Sequence, residues 1–372
     1  MSRLPSRLTG LEVLRFAAAL AVLVWHYQQF LFVGIDEPVF DVRAQPFYGL
    51  LAPFYLYGYA GVEMFWCLSG FIFAWKYRTL IAERRIGGWR FAVRRFSRLY
   101  PLHLAMLLTV AFWQPRYAAL HGGQDFVYVY NDLYHFILNL FFAAYWGVQK
   151  GYSFDGPAWS VSLEILVYAL FFLLCRHIRG GLVRDIAVVI VAALLGALAR
   201  PLLGHKIVLA GAVTFFYLGV LTARLHGFLL AAPGPWRRAV LCVAATVATV
   251  AAGLLAGHAV RIAGASLFLF PSLILLFSCW NLHHARLARL AVFCGNLTYA
   301  CYLLHFPMQL IAVTLLARYA LTPATWFFHA WFFLVYLGAV LIASALVYRW
   351  FETPCQTWLR ARLDGRGGAN AV

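Results

Sequence analysis

The sequence is poor in charged residues, and acidic residues are the scarcer kind. Only 12% of its 372 residues are charged, and 13 Asp and Glu stand against 30 Lys and Arg. Apolar residues make up 64% of the chain, and the mean hydropathy is +0.78. This composition excludes an ordinary soluble domain and predicts an all-α, polytopic transmembrane helical bundle. We expect no nucleic-acid partner, because such a partner requires a basic surface on a polar domain.

Several catalytic and ligand-binding motifs are also absent from the sequence. It contains no GxSxG elbow, no HExxH, no P-loop lysine, no GxGxxG and no His-x4-Asp pattern. These absences argue against a soluble-type hydrolase and against an ATP-driven machine. The seven cysteines form no CxxC and no metal-ligand spacing. We therefore expect no metal site and interpret the cysteines as small, buried apolar residues.

Long apolar runs are what the chain has instead, and they set its topology. Charge bias favours ten spans with both termini in the cytoplasm, because this arrangement places most Lys and Arg inside. Residues 131–147 are ambiguous, and we predict an interfacial or re-entrant helix there on the outer side. The first span is expected to be retained, since no convincing cleavage site follows it. The ten windows are 12–34, 55–75, 99–114, 158–175, 185–199, 206–223, 239–257, 262–280, 291–317 and 329–349.

We expect a single membrane domain over residues 1–354. Residues 355–372 are predicted to form a cytoplasmic tail, disordered at its end, because this end is rich in glycine and poor in apolar residues.

The first span, "LEVLRFAAALAVLVWHY", contains three ionisable residues. Arg15 and His26 are eleven positions apart, which is about 1100° on a helix, so they share one face. Glu12 precedes Arg15 by three positions and can pair with it. One interpretation is an Arg that reaches the interface and a His that is hydrogen-bonded in the bundle. The other, which we favour, is a polar path through the membrane, because ionisable residues there are costly.

The stretch "VRRFSRLYPLHL" precedes the third span and is rich in arginine. Arg95 and Arg98 are three positions apart on one helix face, and Arg94 adds a third guanidinium. Such groups can bind phosphate in a bidentate manner. The alternative is a basic loop that only sets the topology. Pro101 is expected at the first turn of the span, where proline is tolerated.

Two later stretches bring polar residues into apolar helices. In "SFDGPAWSVSLEILVY", Glu164 lies about two turns inside a span, after Trp159 and Ser160, and it could pair with a basic residue or act in catalysis. Asp155 is expected to be the more exposed acid.

In "GNLTYACYLLHFPM", a helix would place Tyr299, Tyr302 and His305 near one another. This stripe could donate hydrogen bonds to a sugar or a carbonyl group, or it could serve only to pack the bundle.

Taken together, these motifs resemble the acyltransferase-3 family of integral membrane O-acyltransferases. Arg15 and His26 hold the family's Arg-x10-His spacing, and Glu12 stands where Asp is more usual. Arg95 and Arg98 match an Arg-x-x-Arg element. The other similar segments are "GVEMFWCLSGF", "GPAWSVSLEILVY", "LTYACYLLHFP" and "WFETP". Ile165 and Leu166 replace the Gln or aromatic residue that usually follows the family's acid, which leaves the role of Glu164 open.

The resemblance implies an acetyl-CoA donor, a saccharide or glycolipid acceptor and a place in the bacterial inner membrane among its lipids. Matched residue by residue, the resemblance implies catalytic roles for His26, Arg15, Glu12 and Glu164. His26 would be a general base or a carrier of the acyl group. Binding of the CoA phosphates would fall to Arg94, Arg95 and Arg98, and substrate binding to Trp159, Ser160, Tyr302 and His305. A proton-coupled transporter or lipid-binding membrane protein is the alternative, and a structural scaffold is third.

Overall fold

The computed structural model describes residues 7–32, 34, 36–178, 180–203, 208–255 and 259–363. This part of the chain is helical and contains no strand, which confirms the predicted all-α class. The α-helices are α1 Thr9–His26, α2 Tyr48–Tyr57, α3 Gly61–Ala82, α4 Gly88–Leu120, α5 Leu133–Leu140, α6 Trp159–His177, α7 Gly181–Leu203, α8 Val208–Ala231, α9 Gly234–Leu255, α10 Ala259–Cys279, α11 Ala285–Ala317, α12 Ala330–Val347 and α13 Thr353–Leu363.

The described residues of each predicted apolar window are largely helical, although window 55–75 covers parts of two helices, α2 and α3. Within the part of the chain that the structure describes, eight helical stretches are long and apolar enough to cross a membrane, which fits a multi-pass membrane protein. α10 adds a shorter apolar segment, Gly264–Cys279. The total of ten spans and the cytoplasmic location of both termini stay predictions. The eight stretches are Thr9–Leu31, Tyr48–Ala82, Gly156–His177, Gly181–Ala199, Val208–Ala231, Gly234–Gly253, Ala285–Ala317 and Ala330–Leu363.

The ambiguous window at residues 131–147 contains only the short helix α5. Its eight residues are about 12 Å long, far less than the roughly 30 Å of a bilayer core. The Asp132 carboxylate accepts a hydrogen bond from the backbone N–H of His135 at 2.8 Å and so caps the helix start. The length of α5 agrees with a segment that does not cross the membrane; the side on which it lies stays a prediction.

The arginine-rich stretch before the third span is helical, and this corrects the predicted position of Pro101. α4 begins at Gly88, so Pro101 lies inside the helix instead of in its first turn. The N-terminal half of α4 buries Phe91, Val93 and Leu99, and this buried face extends the helix beyond the apolar window. Pro101 has no N–H to bond the carbonyl group four residues earlier, so this turn of α4 lacks one backbone hydrogen bond.

The chain forms two compact units. The first comprises residues 1–18, 60–85 and 166–296, and the second comprises residues 19–59, 86–165 and 297–372. In the first unit, α3 and α8 approach each other closely through glycines. A Cβ on Gly70 would collide with the Phe216 carbonyl, and one on Gly219 with the Cys67 carbonyl. Small residues allow this close helix packing in membranes.

The second unit has an aromatic core that fixes the end of the first span. The Tyr27 ring stacks on Phe327 with centroids 4.6 Å apart, and its hydroxyl donates to the Phe327 carbonyl at 2.7 Å. Phe30 and Tyr336 also meet edge to face at 4.9 Å. These contacts hold the chain just after His26 in one position.

The cysteines depart from the prediction that they are buried. The prediction is correct for Cys67, Cys175 and Cys301, but Cys242 is exposed and three others are partly exposed. In a membrane bundle an outward-facing position meets lipid, where a small apolar thiol is tolerated. The partly exposed cysteines are Cys279, Cys294 and Cys355.

Helix α13 occupies the beginning of the predicted tail, and residues 364–372, where disorder was predicted, lie outside the described residues.

Candidate active site

Two buried histidines face each other in the second unit. His26 ends α1 and His305 lies in the middle of α11. Their ring centroids are 4.6 Å apart, with an angle of 53° between the planes. His26 is 8% exposed and His305 is fully buried. The structure thus brings together two residues that are 279 positions apart in the sequence.

Hydrogen bonding fixes which nitrogen of His26 is available for chemistry. Its Nδ1 lies 2.9 Å from the Val22 carbonyl oxygen. Because a carbonyl oxygen only accepts, Nδ1 carries the hydrogen in the neutral ring, and Nε2 keeps the lone pair. Trp25 packs edge-on against the His26 ring at 4.7 Å and restricts its orientation. His26 can therefore accept a proton, or attack an acyl carbon, through Nε2.

His305 is held by its helix while its ring keeps its bonding capacity. Within the described residues, neither of its ring nitrogens makes a hydrogen bond of good geometry, although the backbone carbonyls of Cys301 and Tyr302 lie close enough to interact with the ring. Four residues later on the same face, the Gln309 amide donates to the His26 carbonyl at 2.9 Å. This bond ties the end of α1 to α11 beside the histidine pair. Sequence reasoning missed Gln309, although its i+4 spacing from His305 was a usable signal.

Tyr302 and Ser160, both predicted substrate-binding residues, are in contact. The Tyr302 hydroxyl lies 2.8 Å from the Ser160 hydroxyl and donates to the Pro157 carbonyl at 2.8 Å. The Tyr302 and His305 rings are 6.0 Å apart. α11 thus links the beginning of α6 to the histidine pair, and the Ser160 hydroxyl is the group near it that can rotate toward a ligand.

Asp155 is buried, so the prediction of a more exposed acid is wrong. It is 1% exposed, and neither carboxylate oxygen has a hydrogen-bond partner among the described residues. Burial raises the pKa of Asp155 well above its usual value of 3.8. Gly156–Ala158 forms a single turn that leads the chain into α6 and keeps this carboxyl group under the loop. Asp155 lies close enough to Tyr128 and Tyr302 to interact electrostatically.

Trp159 and Glu164 lie on the same helix as Ser160. Trp159 packs against Tyr145, with centroids 5.3 Å apart, and against Tyr152 at 6.1 Å. It therefore joins an aromatic surface formed by the preceding loop. Glu164 is half-buried and interacts electrostatically with Tyr302. Its predicted catalytic role stays a prediction.

The arginines of α4 lie toward the other end of the same stretch of α11. Arg98 is close enough to Tyr299 to interact electrostatically. Tyr299 precedes His305 by six residues, about 9 Å along the helix axis. Arg94, Arg95 and Arg98 are all half-buried. α13 packs against this part of α4 and adds one more guanidinium, because Arg360 Nε donates to the Ser97 hydroxyl at 3.2 Å.

Glu12 and Arg15 belong to the first unit, and they pair as predicted. Arg15 Nη1 lies 2.9 Å from Glu12 Oε2. A Cβ on Gly295 would collide with the Glu12 carboxylate, so glycine is needed there to admit this side chain. α1 runs without interruption from Thr9 to His26, so Arg15 and His26 lie on one helix. The catalytic roles assigned to Glu12 and Arg15 stay predictions.

Among the residues that the structure describes, no group of three His, Cys, Asp or Glu side chains could hold a metal ion. The described polar groups of the second unit include hydroxyls, imidazoles, amides, the buried Asp155 carboxyl group and guanidiniums. Such a set suits proton transfer and anion binding inside a membrane protein.

These features define a polytopic membrane protein with a buried pair of histidines among polar side chains. The chain belongs to the acyltransferase-3 family, because the model of this family's acyltransferase domain matches residues 8–349.

A curated relative is described as acyltransferase MdmB from Streptomyces mycarofaciens. It is 33% identical over 181 residues, which are 48% of this chain and 40% of that protein. The match therefore spans less than half of either chain. No solved structure matches this chain.

Proposed function

We propose that the protein is an O-acyltransferase that moves an acetyl group from cytoplasmic acetyl-CoA to a hydroxyl of a cell-envelope or exported saccharide. The inner membrane is the proposed location. Family membership supports acyl transfer in general, and the relative carries the name acyltransferase. The donor, the acceptor and the acetyl group are the specific parts of this proposal.

The observation that carries the proposal is the arrangement along α11. Tyr299 lies in the field of Arg98, Tyr302 contacts Ser160, and one turn further His305 faces His26. Each step is three residues, about 4.5 Å along the axis. A guanidinium group, which we propose binds phosphate, thus lies near one end of a short polar row, and an imidazole, which we propose accepts the proton, lies at the other.

In the proposed reaction, His26 acts as general base. Its Nε2 takes the proton of the acceptor hydroxyl while that oxygen attacks the thioester carbonyl carbon. The new C–O bond forms, the C–S bond breaks, and the proton passes from His26 to the departing thiolate, so that CoA leaves as the thiol. His305 and the Ser160 hydroxyl would hold the acceptor by hydrogen bonds. Burial of the histidine pair keeps water from competing as acceptor.

The proposed donor contact is between the CoA phosphates and Arg95 and Arg98. Guanidinium groups three residues apart on one face can hold a phosphate with paired hydrogen bonds. In the first unit, the Glu12–Arg15 pair fixes the Arg15 guanidinium in one orientation, and we propose that it stabilises charge during transfer.

The test is the affinity of the purified protein for acetyl-CoA, measured by titration. Arg95→Gln and Arg98→Gln should each weaken binding about tenfold or more, because a hydrogen bond to a charged group contributes about 1.5–3 kcal/mol. Arg116→Gln is the matched control, since Arg116 is exposed on the same helix and its guanidinium bonds the Phe112 carbonyl and packs on the Phe112 ring.

Unchanged affinity in both variants would overturn the donor assignment. Wild-type protein that moves a saccharide or protons without consuming acyl-CoA would instead support the transporter alternative.

A further inference from the structure

A buried carboxylate in the first unit is surrounded by three arginines from three segments. Asp185 on α7 is fully buried. Its Oδ1 accepts from Arg184 Nε at 3.0 Å and Nη2 at 2.7 Å. Its Oδ2 accepts from Arg224 Nε on α8 at 2.7 Å and from Arg78 on α3. We name these four residues the Asp185 cluster; none of them belongs to the proposed acyl-transfer site.

The N–H groups of the Arg184 guanidinium find hydrogen-bond acceptors within the protein. Besides Asp185, it donates to the carbonyls of Leu174 and Ile178 at 2.7 and 2.8 Å. These carbonyls belong to the end of α6, where the helix dipole is negative. Arg184 therefore joins α6 to α7, and the groups around it accept its hydrogen bonds.

The N–H donors of Arg78 and Arg224 are not all satisfied in this way. A guanidinium has five N–H donors, and within the described part of the chain each of these two donates only to Asp185. Their side chains are 19% and 28% exposed, so their outer donors reach the surface. One carboxylate among three guanidiniums leaves two positive charges in excess. An uncompensated, partly buried charge of this kind is costly unless an anion accompanies it.

The two guanidiniums also lie close together, because both donate to the same oxygen of Asp185. Two guanidinium groups this close together can both donate hydrogen bonds to one phosphate. The Tyr217 hydroxyl adds an independent donor beside the cluster. It is buried, has no partner among the described residues and interacts electrostatically with Arg78, Arg184 and Asp185.

The surroundings of the Asp185 cluster are apolar and exposed, as expected at a lipid-facing surface. Most of α7 is unburied, although it is among the most apolar helices. The exposed large apolar side chains next to the cluster along the chain are Ile178, Leu182, Val183, Leu225 and Phe228. A ligand here would meet guanidiniums at one end and hydrocarbon-compatible surface at the other.

We propose that Arg78 and Arg224 bind the phosphate of an anionic phospholipid headgroup. The three arginines come from stretches that the sequence assigns to the cytoplasmic side, where anionic lipids attract basic groups. Bound lipid would supply the missing negative charge and hold α3, α7 and α8 together through Asp185. This site would operate whether or not the acyl-transfer proposal is correct.

The experiment measures phosphatidylglycerol binding to the purified full-length protein, against phosphatidylcholine, by lipid titration in detergent. Arg78→Gln with Arg224→Gln should weaken phosphatidylglycerol binding about tenfold or more. Arg238→Gln with Arg286→Gln removes the same charge from exposed positions and should leave the affinity unchanged. Equal loss in both pairs would mean non-specific attraction and would overturn the site.

A second pair of substitutions keeps two positive charges beside Asp185. It serves in case the first pair of variants does not fold. Arg78→Lys with Arg224→Lys removes only the planar fork, and we expect phosphatidylglycerol affinity several-fold below wild type. Wild-type affinity in this folded pair would overturn the proposal. Displacement of the lipid by CoA, with the same dependence on Arg78 and Arg224, would overturn the lipid assignment in favour of a nucleotide phosphate.

Discussion

At the scale of single residues, burial decides what a polar side chain can do. Asp155 was expected to be the more exposed acid because it lies on the loop before the span. The loop instead folds under itself, since Phe154 is buried beside it and Tyr128 covers Gly156. Local composition could not predict this, because the covering ring comes from 28 residues earlier in the chain.

Replacing Asp155 by Asn should remove part of the protein's pH dependence. Burial raises the pKa of Asp155, so the folded state holds its proton more tightly than the unfolded state. The free energy of unfolding is then greatest at low pH and falls as the pH rises above the ordinary pKa of 3.8. The fall is about 1.4 kcal/mol per pH unit until the pH reaches the raised pKa of the folded state. Asp155→Asn should flatten this fall.

The measurement is the thermal unfolding midpoint of the purified protein between about pH 5 and about pH 8. Glu37→Gln is the control, because that carboxylate is exposed. Identical pH slopes for wild type and Asp155→Asn would contradict this account of the buried carboxyl group.

The histidine pair shows what the spacing of residues in the sequence can predict and what it cannot. The spacing of Arg15 and His26 indicated that His26 lies on a functional face, and the Tyr302 to His305 stripe indicated a second one. That these two faces meet depends on the packing of α1 against α11 in the second unit, where Gln309 bonds the His26 carbonyl. No local pattern contains this contact. The same holds for Asp185, whose three partners come from separate segments.

At the scale of helices, the length of the apolar runs predicted well which helices exist, and it predicted less well where each helix begins and ends. The described residues of all ten windows are largely helical because the membrane requires every backbone group to be bonded internally. Errors occur where a helix continues past the apolar run, as α4 does through its arginine-rich half. Arginine is a good helix former, so charge ends the span without ending the helix.

The contact between α3 and α8 gives a prediction at this scale. Gly219→Ala should destabilise the protein by about 1–3 kcal/mol, because the added methyl group collides with the Cys67 carbonyl and forces the helices apart. Gly227→Ala on the same helix is the control, since nothing lies within 4 Å of its added Cβ. The thermal midpoint of both variants is compared with wild type. Equal effects would show that helix propensity, and not close packing, governs these positions.

At the scale of the whole molecule, the predicted topology gains support from the Asp185 cluster. Arg78 lies four residues before the end of α3, Arg184 is the fourth residue of α7, and Arg224 lies seven residues before the end of α8. Their convergence on Asp185 places three stretches, assigned to one side by charge bias, at the same end of the first unit. The number of spans and the side of the termini are not determined by this contact.

The central claim is that His26, facing His305, is the general base for acyl transfer. It is tested by mass spectrometry of envelope saccharides from cells producing wild type, His26→Gln or His283→Gln at equal protein levels. His283 is exposed, so its variant should keep wild-type acetylation. His26→Gln should reduce it about 100-fold or more, since loss of a general base costs about 10²–10⁴ in rate. Undiminished acetylation in the His26 variant would contradict the account.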